Sequence, residues 1–258
     1  MKLNKIIQLS TIIFFTANIN AQNLVVDYNQ TIDLGEPELS IYKLYTKENS
    51  SLYFDTTAEN TAILKEEQED NLRTISITEE HKPNNIYIDF SKQALYQSSY
   101  LGNKNYVVEE NLYPFKWNIT NETKQIASYT CTKATTKFRG RNYEAWFTDE
   151  IPTQTGPWKM HGLPGLILEV YDADHLIVIQ AQKINAQSLG KEQTDVINKI
   201  QEAKTIRFKE YNQLFTEHMK EMFRQMMTKM PEGFSGAVEI DDNCEDCQSI
   251  EIYEEWEK

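Results

Sequence analysis

Trp117 to Asp172 reads WNITNETKQIASYTCTKATTKFRGRNYEAWFTDEIPTQTGPWKMHGLPGLILEVYD, and its punctuation sets the fold class. Tyr129 to Phe138 and Arg141 to Phe147 are two runs rich in β-branched and aromatic residues, joined near Gly140, where glycine permits a tight reversal. Asn118 to Lys124 reads as a polar turn ahead of them. Pro152, Gly156 and Pro157 break the next stretch into an ordered loop. Gly162-Leu163-Pro164-Gly165 makes a second sharp turn: Pro164 fixes one dihedral, and Gly165 is expected to take the positive φ of a type II turn. Leu166 to Val170 then enters the core as a strand, and His175 to Ala181 returns beside it.

The same alternation extends upstream through Leu39, Ile41, Lys43 and Tyr45, through Ile75 and Ile77, through Ile86, Ile88 and Phe90, and through Tyr106 and Val108. Period two in such residues marks half-buried strands. Turn clusters at His81 to Asn85, Leu101 to Asn105 and Tyr171 to Asp174 separate them, and a spacing of about ten residues points to a meander rather than βαβ units. Ala58 to Asn71 is acidic and poor in apolar residues; it reads as a loop, or else as a frayed helix. From Thr205 to Met230 the period changes. Phe208, Tyr211, Phe215, Met219, Met222 and Met226 recur every three or four residues, one face of a helix, with Thr205 as its N-cap and Pro231 with Gly233 ending it. The expected fold is mainly β: a single antiparallel curved sheet, half-barrel or sandwich, with one long C-terminal amphipathic helix (about 205–230) packed on it, all in one domain from 22 to 258.

Residues 1–21 have the layout of a secretory signal: Lys2 and Lys5, an apolar Ile6 to Phe15, and Ala21 before the cut. The apolar segment is too short to span a bilayer, and no later stretch is long and apolar enough. Export to the periplasm or the exterior is therefore expected, with Gln22 as the new terminus. The chain of 258 residues carries a formal charge of −13, which becomes −15 without Lys2 and Lys5, so nucleic acid is not an expected partner; with no spanning stretch, an integral membrane protein is not expected. An acidic tail runs from about 235 to 258. Cys131, Cys244 and Cys247 leave one thiol over if two pair; a local Cys244–Cys247 bridge and one to Cys131 both remain open.

The long segment quoted first resembles the GLPGLI family of secreted proteins through more than the hexapeptide Gly162-Leu163-Pro164-Gly165-Leu166-Ile167. Lys124, Tyr129, Cys131-x-Lys133-Ala134, Gly140-Arg141, Ala145-Trp146, Ile151-Pro152 and Gly156-Pro157-Trp158 also stand where that family's pattern puts them. The resemblance implies an exported protein of the Bacteroidetes group, of unknown activity, similar to the N-terminal domain of a secreted peptide N-glycanase, an accessory rather than catalytic part. Its strand order is also similar in layout to the half-barrels of periplasmic lipoprotein carriers, in which a curved sheet cups a helix.

No constellation in the residues names a reaction. There is no nucleophile motif, no spacing of metal ligands and no cofactor loop, so no catalytic residues, metal or cofactor are expected. Arg141, Glu150 and His161 come nearest to a catalytic set; Arg139 and Arg141 against Asp149 and Glu150 read as cross-strand ion pairs. Trp146 sits on the sheet face opposite Tyr143, and Trp158 packs beneath the Gly-Pro turn. The one broad surface left for binding is the concave face of the sheet, lined by Tyr143, Phe147, Phe215, Met219 and Met222 and rimmed by Arg141, a surface for an apolar or amphipathic ligand or an envelope partner protein. A non-catalytic binding module is thus expected; the alternatives are a secreted hydrolase and a carbohydrate-active accessory domain.

Overall fold

The computed structural model describes residues 23–228 apart from 34, 36, 58–64, 70–71 and 77–81. The expected leader with its expected cut after Ala21, His81, Met230, the acidic tail, Cys244 and Cys247 lie outside the described residues. Among the described residues fourteen strands and two helices follow one another: β1 (Leu24–Asp33), β2 (Pro37–Lys47), β3 (Ser50–Asp55), β4 (Lys65–Glu69), β5 (Leu72–Ser76), β6 (Ile86–Asp89), β7 (Ala94–Leu101), β8 (Lys104–Asn111), β9 (Asn118–Ile126), β10 (Tyr129–Phe138), β11 (Arg141–Thr148), β12 (Leu166–Asp172), β13 (Ile177–Ala186), α1 (Lys191–Glu202), β14 (Thr205–Arg207) and α2 (Phe208–Thr228). Twelve strands make one sheet in the order β14-β8-β7-β6-β3-β2-β1-β13-β12-β11-β10-β9, while β4 and β5 pair separately. Every pairing is antiparallel except β14 on β8, so the sheet is mixed.

A chain-length argument shows that this sheet curls. β8 and β9 are ten strand spacings apart, about 48 Å if the sheet were flat. The connection between them is only residues 112–117, which reaches roughly 25 Å at full extension. The two flanks must therefore approach each other, and the connector's rings seal the approach. Tyr113 and Phe115 lie 5.1 and 4.9 Å from Phe138 of β10, and Thr136 of β10 donates to the Lys116 carbonyl at 3.3 Å.

Curling gives each strand an inner and an outer face. Val26 and Tyr28 of β1, Tyr42 and Leu44 of β2, Tyr53 of β3, Ile88 of β6, Leu95 of β7, Phe138 of β10 and Tyr143 of β11 form one inner core. Tyr42 stacks on Tyr53 at 4.3 Å, with Tyr28 edge-on at 6.1 Å. On the outer face Val25, Tyr45, Leu52, Phe54 and Tyr87 pack against Ile200 of α1. Burial of a side chain the size of Ile200 contributes about 1.5–3 kcal/mol, enough to seat a helix with few apolar residues. α1 starts where the Gly190 N–H donates to Gln193 Oε1 at 3.1 Å.

Several elements differ from expectation. Asn118 to Lys124 is not a turn but most of β9, the edge of the sheet; both faces of an edge strand can meet water, so its polar pattern carries no strand signal. Within Ala58 to Asn71, residues 65–69 are strand β4. Thr205 caps no helix: it lies in β14 and donates to Glu109 at 2.7 Å, and α2 begins three residues later. α2 packs on the sheet at its β8 flank, with Tyr211 6.0 Å from Tyr106.

Candidate functional site

The loop between β11 and β12 fills the curled sheet. Residues 149–165 fold back on themselves through a Thr155–His161 bridge, with Gly162 N donating to Gln154 O at 2.9 Å and Leu166 N to Ile151 O at 3.1 Å. This turn carries Trp158, Met160 and Leu163 into the inner core. Trp158 lies 5.6 Å from Phe138 and 6.1 Å from Tyr143. The expected helix in the cup is therefore replaced by the motif loop. Tyr28 OH of β1 fastens the loop's exit by donating to Ile167 O at 2.5 Å.

Both motif glycines are needed, for different reasons. The left-handed residue is Gly162, at φ 88°, not Gly165 as a type II turn required. Gly165 is dictated by proximity: a Cβ there would stand 2.0 Å from the Thr148 carbonyl oxygen. Gly156 is held likewise, with Met160 O 2.8 Å from the position its Cβ would take.

Inside the fold the loop meets a buried ion cluster. Glu110 of β8 takes Lys159 Nζ at 2.8 Å and also pairs with Arg139. Both cationic side chains are 2% exposed and the carboxylate 5%. Phe208, the first residue of α2, lies 4.6 Å from the Arg139 guanidinium and 5.4 Å from Lys159 Nζ. One carboxylate thus ties the β8 flank, the β10–β11 turn and the loop together beneath the start of α2. A second buried pair joins Arg141 to Asp172 at 3.0 Å, and Asp172 also accepts from Ile177 N at 2.8 Å.

These pairings correct the expected ones. Arg139 and Arg141 stand at one end of β11 and Asp149 and Glu150 just beyond the other, about 25 Å apart along the strand. Arg141, Glu150 and His161 are consequently not one site. Glu150 accepts from Thr130 N at 2.9 Å. His161 is packed 4.9 Å from Phe115 and 6.0 Å from Phe90, with Nδ1 2.9 Å from Lys159 O; burial lowers its pKa from the ordinary value. The expected ligand-lining set is also dispersed. Tyr143 and Phe147 are buried in the core, while Phe215, Met219 and Met222 on α2 are 45, 40 and 47% exposed. On the outer face, Lys124 lies 4.3 Å over the Trp146 ring and 2.6 Å from Glu169, and Lys133 lies 2.7 Å from Glu144. Lys124, Lys133 and Trp146 are tied up in that network.

An open space remains at one mouth of the curl. A cavity of about 600 Å³ is walled by residues 150–155 of the loop and by the strand ends around it. Leu24, Phe90, Tyr129, Ile151, Pro152 and Ile184 supply its apolar surface, and Lys47, Glu48 and Glu150 its charges. The register puts Ile184 opposite Val26, on the inner face. Of this lining Tyr129, Ile151 and Pro152 belong to the motif visible in the sequence. Leu24, Thr46, Lys47 and Ile184 come from strand ends, and Phe90 from the turn after β6, which only the curl brings together. Among the described residues no cluster of His, Cys, Asp or Glu is arranged to hold a metal, and no helix is long and apolar enough to cross a membrane.

This architecture is shared. The family described as "N-glycanase peptide, N-terminal domain" matches residues 42–214, from β2 into α2. The chain belongs to that family. Two solved structures of PNGF-II, in C2 and P21 crystal forms, are similar to it in fold, with TM-scores of 0.53 and 0.54 and 16% sequence identity. Each covers 77% of this chain, and the chain spans 33 and 34% of their length. No curated protein matches the sequence. The family match takes in the whole motif loop, the ion cluster and all of the mouth cavity except Leu24.

Proposed function

We propose that this chain is an exported, non-catalytic binding module, and that it binds at the mouth cavity rather than across the face of the sheet. The observation that carries this reading is the loop at 149–165. It fills the interior with Trp158, Met160 and Leu163 and leaves about 600 Å³ open at one end, a volume in the range of small-ligand sites. Kinship with an N-terminal domain of an N-glycanase supports an accessory role, and so does the family resemblance carried by the motif. The layout of residues 1–21, with Lys2 and Lys5, an apolar Ile6 to Phe15 and Ala21, supports export.

The test is saturable binding of a neutral, environment-sensitive dye such as Nile red to the full chain. One site per chain is expected, and it should be lost in Ile184→Trp, which fills the cavity, while the melting temperature stays within a few degrees. Binding that survives in Ile184→Trp places the site elsewhere.

A further inference from the structure

We propose that the mouth cavity takes a short stretch of polypeptide in which apolar residues stand next to a lysine or arginine. This rests on the mouth being the binding site, and it names the ligand class for it. The composition of the wall separates the candidates.

A lipid chain needs a dry apolar sleeve, because a hydroxyl or amide pressed against hydrocarbon loses its water without gaining a partner. Here Thr46, Asn49, Thr153, Gln154 and Thr155 are interleaved with the apolar residues. Thr153 and Thr155 already share a hydrogen bond at 3.1 Å. Such a wall suits a ligand that alternates apolar side chains with amide groups. A free sugar fits less well, since Leu24, Ile151 and Ile184 make much of the lining aliphatic and Phe90 and Tyr129 are its only aromatic residues.

Charge sets the second half of the proposal. Glu48 and Glu150 outnumber Lys47 at the wall. Glu150 is held in place by the Thr130 N–H at 2.9 Å, so its charge is fixed at the mouth. The formal charge of −13 on the whole chain adds a field that draws cations and repels anions.

The experiment is calorimetric titration of the full chain with four probes. They are acetyl-Leu-Leu-Lys-Lys-amide, its Gln-Gln and Glu-Glu counterparts, and N,N′-diacetylchitobiose, with dodecyl maltoside below its micelle concentration as a fifth arm. The lysine peptide is expected to bind about two- to fivefold more tightly than the glutamine peptide, the range an exposed ion pair supplies, and the glutamate peptide more weakly still. In the double variant Glu48→Gln/Glu150→Gln, which keeps the Oε1 acceptor for Thr130 N, that ranking should narrow to the residual preference that the remaining negative charge of the chain supplies. Binding of the detergent or the sugar but of no peptide overturns the ligand class and leaves the mouth as the site. Failure of every probe, with Nile red also unbound, overturns the site itself. Peptide binding with a ranking unchanged in the double variant overturns the role of the carboxylates.

Discussion

The α-carbon of Gly165 lies so close to the backbone of Thr148 that a Cβ on it would sit 2.0 Å from the Thr148 carbonyl oxygen and 2.9 Å from Asp149 N. The end of β11 and the start of β12 are in contact there, and the loop between them leaves and re-enters the sheet through that gap. Gly165→Ala therefore forces two backbone segments apart. The expected loss is at least about 1–3 kcal/mol, read as a lower midpoint in urea unfolding. Pro164→Ala, at an exposed position one residue earlier, should change stability by less than about 1 kcal/mol. Equal effects of the two would sever the link between the motif's glycine and this contact.

Glu110→Gln tests the buried cluster. Arg139 and Lys159 both lose the carboxylate that faces them, and breaking a buried pair from one side costs about 3–5 kcal/mol. The same variant should speed proteolysis within residues 149–165, because Lys159 anchors that loop. A variant as stable as the parent would show that the cluster does not hold the flanks together.

His161 gives the fold a pH dependence of definite sign. Burial lowers its pKa in the folded chain, while in the unfolded chain it returns to about 6.5. Above that value both states are neutral and the group contributes nothing to the pH dependence. As pH falls below about 6.5 the unfolded state takes up the proton first, and stability drops by at most about 1.4 kcal/mol per pH unit until the lowered folded value is reached. Unfolding midpoints between pH 7.5 and 5.5 should show this decline in the parent and a shallower one in His161→Phe.

Cys131 is fully buried on β10, and burial pushes its thiol up to about 11. In a Cys244→Ser/Cys247→Ser variant, iodoacetamide at pH 8 should label Cys131 only at the rate at which the chain unfolds. Rapid labelling of the native protein would place that strand at the surface.

Parts of this fold are legible in the sequence because they are local. The β10–β11 hairpin reads directly from two alternating runs around Gly140, and α2 from its six-residue apolar stripe. α1 escapes notice because Val196, Ile197 and Ile200 are its only large apolar residues in a charged segment. The pairing of β13 on β1 joins residues about 150 apart and leaves no local trace. The loop was readable as ordered, but not as the filling of the core: Lys159 and His161 suggest solvent, and only the Glu110 cluster and the rings of Phe90 and Phe115 explain their burial. The mouth cavity was illegible for the same reason, since β1, β2, β10 and β13 each place one or two residues there and Phe90 enters from the turn after β6.

Export is tested by the mature terminus. Mass spectrometry of the protein recovered outside the cytoplasm should find a chain beginning at Gln22; recovery there with Met1 in place would remove the signal reading.

Where a ligand sits decides between a filled interior with an open mouth and a cup that binds across its face. Isoleucine and leucine methyl NMR of the full chain, titrated with Nile red, reads that position directly. Shifts confined to Leu24, Ile151 and Ile184, with Ile88, Leu95 and Leu163 unmoved, are the expected result. Shifts at Ile88, Leu95 and Leu163 would contradict it, because the dye would then occupy the space that Trp158, Met160 and Leu163 fill.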